Sequence, residues 1–149
     1  MKKIIIKGII FIIIGFILGE IIFSNRIETL QKFNNKEKYY FLQEGVYKDK
    51  NTLNNNLSKV SNKVIDYQDN KYYVYVGITK DIKIANRLKD IYEKDGINVY
   101  MKEKHLSSEE FSTNVEQFDL LIRETKDIDQ VLTIEEVILA NYEEIIKKK

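Results

Sequence analysis

The sequence predicts an α+β domain with a four-stranded antiparallel sheet and two helices on one of its faces. Three observations lead there. The pentapeptides GVYKD (Gly45–Asp49) and GITKD (Gly77–Asp81) share one pattern: glycine, a β-branched residue, a variable residue, then Lys-Asp. Each closes an aromatic-rich run, YYFLQE before the first and YYVYV before the second. Each is followed by a segment whose apolar residues recur at helical spacing. The chain therefore reads β-α-β, β-α-β, and two such halves form a single sheet in the split βαβ arrangement. A transmembrane helix is expected before this domain and a helical hairpin after it.

The first 23 residues form a cytoplasmic stub and the membrane helix. From Ile4 to Phe23 the chain is apolar except for Lys7 and Glu20. About 20 residues of helix match a hydrocarbon core about 30 Å thick. Lys2, Lys3 and Lys7 precede or open the span, which keeps the N-terminus cytoplasmic and exports the chain beyond Phe23. Glu20-Ile21-Ile22-Phe23 offers no small-residue cleavage site, so an uncleaved single-pass anchor is expected. Gly15 and Gly19 have the G-x-x-x-G spacing that lets two helices approach, an opening for a weak dimer, although glycine is common in membrane helices. Residues 24–38 are polar, with Ile27, Leu30 and Phe33 loosely helical in spacing. They read as a stalk.

The domain is expected over residues 39–104. Tyr39–Tyr47 reads as a strand, and Asn51–Ser61 carries Leu53, Leu57 and Val60 on one helical face. Val64–Gln68 and Tyr72–Ile78 flank the turn-forming Asp69-Asn70 and read as a hairpin. Ile82–Lys94 places Ala85, Leu88 and Ile91 or Tyr92 on one face, and Gly96 ends it. Ile97–Lys102 is the last strand. The twin pentapeptides fall where a strand turns into its helix. Glycine relaxes that turn, and Asp, Asn or Thr beyond it caps the helix.

Side chains alternate along a strand. Val74, Val76 and Ile78 should then face the helices together with Leu42, leaving Phe41, Gln43, Tyr73 and Tyr75 on the open side with Lys71 in line. Aromatic rings beside an amide suit a ligand with flat apolar faces and many hydrogen-bonding groups, such as a sugar or stacked bases. Two plainer readings stand beside this one. Tyrosine favours half-buried strands in general, or another part of the chain covers this face.

The bulk numbers narrow the function. Twenty-four Lys and Arg balance 23 Asp and Glu, a net charge of +1, so no basic face calls for nucleic acid. The chain contains no cysteine, which removes disulfides and thiolate metal sites. Its one histidine, His105, stands in a polar stretch, and no G-x-S-x-G, H-E-x-x-H or glycine-rich phosphate loop occurs. No enzyme activity, cofactor or metal is expected.

The segment from about Lys38 to Glu103 resembles the SPOR domain of bacterial cell-envelope proteins. The resemblance rests on FLQEGVY (Phe41–Tyr47), YYVYVGIT (Tyr72–Thr79), ANRL (Ala85–Leu88) and DGINVY (Asp95–Tyr100). That family is outlined by a strand with Q-x-G-x-aromatic, a helix, a hairpin whose second strand ends V-x-V-G, a helix containing Ala, and a Gly before the last strand. Its fold has two βαβ halves, of the RNP or ferredoxin-like kind. The resemblance implies binding of peptidoglycan glycan strands, stripped of stem peptides, on the open sheet face. It also implies glycan-binding roles for Phe41, Gln43, Val46, Tyr47, Lys71, Tyr73 and Tyr75. Glu44 departs from the pattern, since an apolar residue is usual there.

Residues 105–149 are expected to form the helical hairpin. Ser107 and Glu110 have capping-box spacing, and Phe111, Val115, Phe118 and Leu121 or Ile122 succeed them at helical intervals. Ile134, Val137, Ile138, Asn141 and Ile145 define a second helix, with Thr133 and Glu136 as another box. The hairpin either docks on a domain with a thin core or presents a surface to a protein partner. The expected function is thus a membrane-anchored, non-catalytic module that binds peptidoglycan at the septum or spore envelope. The alternative is a scaffold recruiting division or sporulation proteins through the C-terminal helices.

Overall fold

A computed structural model describes residues 36–57 and 60–148. The expected membrane helix, its Gly15/Gly19 face and most of the stalk lie outside the described residues. Among the described residues, no helix is long and apolar enough to cross a membrane.

The domain is α+β. Its elements run β1 (Glu37–Tyr47), α1 (Lys50–Asn56), β2 (Val64–Gln68), β3 (Lys71–Thr79), α2 (Ile82–Lys94), β4 (Tyr100–Leu106), α3 (Glu109–Glu124) and α4 (Ile128–Lys147). The four strands form one antiparallel sheet in the order β2-β3-β1-β4. Asp69 and Asn70 take positive φ angles of 50° and 59° in the β2–β3 turn, the left-handed pair that a tight hairpin requires.

The aspartates of both pentapeptides cap helices. Asp49 accepts the Thr52 N–H at 2.8 Å, and Asp81 accepts the Lys83 N–H at 2.7 Å. The glycines act otherwise than expected, because neither has a positive φ. Both adjoin slips in the pairing. Gln43 pairs with Tyr75, while Leu42 pairs with Gly77 and Gly45 with Val74, so Glu44 and Val76 drop out of register. Such bulges re-aim the side chains beyond them. A Cβ on Gly77 would sit 3.3 Å from the Cδ1 atoms of Leu42 and Leu88, and one on Gly45 would meet the Tyr47 ring at 2.8 Å. These positions call for glycine to provide room for packing. Of the described glycines, Gly96 is the one with a positive φ, 75°, as α2 ends.

Asp81 also accepts from Arg123 Nε at 2.9 Å, which ties α2 to α3. Burial pushes the Asp81 carboxyl up, but bonds from the start of α2 and from Arg123 outweigh it and hold the group below its ordinary value. Its stabilising contribution is therefore present above the usual carboxylate range and lost as pH falls. Asp81→Ala should cost about 1–2 kcal/mol in urea unfolding at neutral pH, and Asp81→Asn distinctly less because the cap survives.

Several boundaries differ from the sequence reading. α1 ends at Asn56, well short of Ser61. β4 begins at Tyr100, because the Ile97 N–H still bonds to the Tyr92 carbonyl at the end of α2. Ser108, one residue past the expected cap, accepts the Phe111 N–H. α4 begins at Ile128 under an Asp127 cap, so Thr133 lies inside the helix and donates its hydroxyl to the Asp129 carbonyl.

The sheet is covered on both sides. Leu42 and the Gly77 position meet Leu88 of α2, whereas Phe41, on the other face, meets Tyr142 of α4 with ring centroids 5.1 Å apart. The α3–α4 hairpin lies on the side that strand alternation alone leaves open.

Candidate functional site

The expected glycan-binding face is divided by this hairpin. Phe41 is fully buried, Tyr75 is 2% exposed and Gln43 is 9% exposed. Tyr142 from α4 stands edge-on to both rings, 5.1 Å from Phe41 and 6.3 Å from Tyr75. Tyr39 joins the same layer through Phe111 of α3, at 5.4 Å. Edge-to-face contacts of this kind add to the area they bury. Strict alternation misplaces Ile78 for a specific reason: the slip at Val76 makes Ile78 the partner of Phe41 and so places it on the hairpin side.

Polar groups around Asp66 in this layer are satisfied locally, whereas the buried Tyr39 hydroxyl has no hydrogen-bond partner. Asp66, on β2, accepts from the Tyr142 hydroxyl at 2.9 Å and from Gln68 at 2.7 Å, with Lys104 Nζ at 3.7 Å. Lys104 also donates to the Tyr75 hydroxyl at 2.7 Å and lies over the Tyr75 and Phe41 rings. Burial and the nearby Asp66 push the Tyr75 and Tyr142 hydroxyls up, so both stay protonated. Of the residues expected to hold a ligand, Phe41 and Tyr75 are thus packed against the chain's own helix, and Gln43 is buried.

The remaining expected residues lie toward the β2–β3 turn but on both faces of the sheet: Val46, Lys71 and Tyr73 share the side of Tyr75, and Tyr47 lies on the other with Tyr72 and Tyr67. Val46 pairs with Tyr73, and Tyr47 with Tyr72. Val46 and Lys71 are exposed, while Tyr47 and Tyr73 are half-buried. Tyr67 is 57% exposed and its ring lies 4.7 Å from that of Tyr72. Glu44 resolves its misplaced charge here, because both carboxylate oxygens accept from the Tyr47 hydroxyl, at 3.0 and 2.9 Å. Burial and this carboxylate push the Tyr47 hydroxyl up to about 12.

A second concavity, a cleft of about 520 Å³, lies between the start of α2 and α3, with Ile82 and Leu120 exposed on its walls. Its cations are engaged: Lys80 with Glu37 and Glu116, and Arg123 with Asp81. Among the described residues, no group of three or more His, Asp or Glu side chains could hold a metal ion.

Sequence reasoning does not single out Asp66, Lys104, Asp119, Glu135 or Tyr142. Asp119 reads from its spacing as the wet side of a helix, yet it is 3% exposed and bonds to the end of β3. Tyr142 lies four residues after Ile138 and is legible as part of the α4 apolar stripe. No family model, curated protein or solved structure matches the chain.

Proposed function

We propose that this chain is a membrane-anchored, non-catalytic scaffold of the bacterial cell envelope, whose domain engages protein partners of division or sporulation. The observation that carries this reading is Tyr142 lying over Phe41 and Tyr75. An aromatic sheet face already filled by the chain's own helix is not free to stack on sugar rings. The membrane anchor rests on the Ile4–Phe23 apolar run and the lysines at its start. Strand order β2-β3-β1-β4, with helices after β1 and β3, is what two βαβ halves produce. This supports a SPOR-like origin for the domain and, with it, an envelope setting.

A second reading keeps peptidoglycan glycan strands as the ligand and moves the contact to the uncovered end of the sheet. It is favoured by the tyrosines at that end of the sheet: Tyr73 with Lys71 on one face, and Tyr47, Tyr67 and Tyr72 on the other. Sedimentation with amidase-treated sacculi separates the two. For the full chain in detergent micelles, the scaffold reading expects no enrichment over untreated wall. Photo-crosslinking in cells from Leu120 and Ile128, both exposed, should then yield a discrete protein adduct. Enrichment on treated wall that Tyr67→Ala and Tyr73→Ala abolish would overturn the scaffold reading in favour of glycan.

A further inference from the structure

The hairpin grips β3 with two carboxyl groups removed from water. Glu135 of α4 is fully buried. Its Oε2 accepts the Ile78 N–H at 3.0 Å, and its Oε1 has no hydrogen-bond partner. Asp119 of α3 is 3% exposed. It accepts the Thr79 hydroxyl at 2.7 Å and the Lys80 N–H at 2.9 Å. Both bonds fall beyond Tyr75, where the pairing of β2 with β3 has ended. Acid side chains thus hold backbone groups that a neighbouring strand would otherwise hold.

The charges around them do little to welcome an anion. Glu135 faces the Asp119 carboxyl from α3 and the Tyr92 ring from α2. Asp119 faces Asp81 at the start of α2, and Arg123 on its own helix is already bonded to that Asp81. Lys80 of the β3–α2 junction is held by Glu37 of β1 and by Glu116 and Ser112 of α3. A charge on Glu135 would lie in the interior without a cation bonded to it, an arrangement that costs several kcal/mol in general.

We propose that the hairpin is a proton-latched cover: with Glu135 and Asp119 protonated it lies on the sheet, and when both lose their protons it lifts and bares Tyr39, Phe41 and Tyr75. Burial, more than any neighbour, pushes Asp119 up to about 6 and Glu135 well above the ordinary carboxylate range. An acid whose proton is held more tightly in the folded state stabilises that state below its unfolded value, at about 4, and loses the effect as pH rises through the folded value. The cover is therefore tightest in acid and loosens through about pH 6 as Asp119 ionises, and ionisation of Glu135, raised in the same direction, loosens it in the same sense. This holds whichever partner the domain meets.

Amide hydrogen exchange on the full chain in detergent micelles tests the latch, with rates corrected for the intrinsic effect of pH. Between pH 5 and pH 8, protection of the Ile78 and Lys80 amides should fall at least about tenfold, the effect of one pKa unit of coupling. Protection of the β1–β4 pairing should hold. The double variant Glu135→Gln, Asp119→Asn removes both charges, keeps one carbonyl acceptor on each side chain, and should show the same protection at pH 5 and pH 8. Flat protection in the parent chain overturns the proposal, as does an equal fall in the double variant. An equal loss across β1 and β4 would also overturn it, since the whole domain would then be opening.

Discussion

Tyr142→Ala is expected to destabilise the domain by about 3–5 kcal/mol, the range for removing a buried aromatic ring. Tyr142 is 1% exposed, and its ring touches Phe41, Tyr75 and Phe111 in three separate elements. Truncation leaves a void at the junction of all three. It also takes the hydroxyl donor from Asp66, which would keep Gln68 and the nearby Lys104. Tyr142→Phe separates the two effects, because it keeps the ring and loses only the hydroxyl. It should cost about 1–3 kcal/mol, the penalty for a buried acceptor losing one donor. Urea unfolding followed by circular dichroism reads both changes. If Tyr142→Ala unfolds at the parent midpoint, the ring cluster does not hold the hairpin on the sheet.

Ending the chain at Leu106 is expected to leave a sheet unit that still pairs its strands but is only marginally stable. Without α3 and α4, the rings of Tyr39, Phe41 and Tyr75 and the side chain of Ile78 meet water on one face of the sheet. The Ile78 and Lys80 N–H groups lose their carboxyl acceptors as well. The remaining core, built from Leu42, Leu53, Val74, Ala85, Leu88 and Val99, belongs to a segment small enough to be marginal on its own. The truncated chain in micelles should unfold at a much lower temperature than the parent chain and should aggregate. A soluble product that melts at the parent temperature would mean that α3 and α4 contribute nothing to the stability of the sheet, and the glycan reading would regain its open face.

Much of the sheet domain is legible in the sequence. α2 runs from Ile82 to Lys94 as its periodicity implies, because Ala85, Leu88 and Ile91 form one stripe and Gly96 takes the only left-handed glycine turn among the described residues. The β2–β3 hairpin is announced by Asp69-Asn70, whose side chains tolerate positive φ. Strict alternation fails where the strands slip. Nothing local in QEG or VGI announces a bulge, so alternation carries Ile78 to the wrong face. The candidate site fails for a different reason. Phe41, Tyr75 and Gln43 carry the same pattern whether a sugar or a helix covers them. Only α4, far along the chain, decides between these, and one-dimensional periodicity does not report which surface a distant helix seeks.

Lys80 joins Glu37, where β1 begins, to Ser112 and Glu116 of α3, and α4 then closes over what β1 opened. The earliest strand therefore waits for the last helix. As the chain leaves the ribosome, Phe41 emerges long before Tyr142 and has no cover until Ile128–Lys147 arrives. Contacts so distant along the chain form slowly, and unfinished intermediates with bare rings invite aggregation. Maturation of this domain is thus tied to complete delivery of its tail, and a stalled or clipped product should be cleared by proteolysis before it can accumulate.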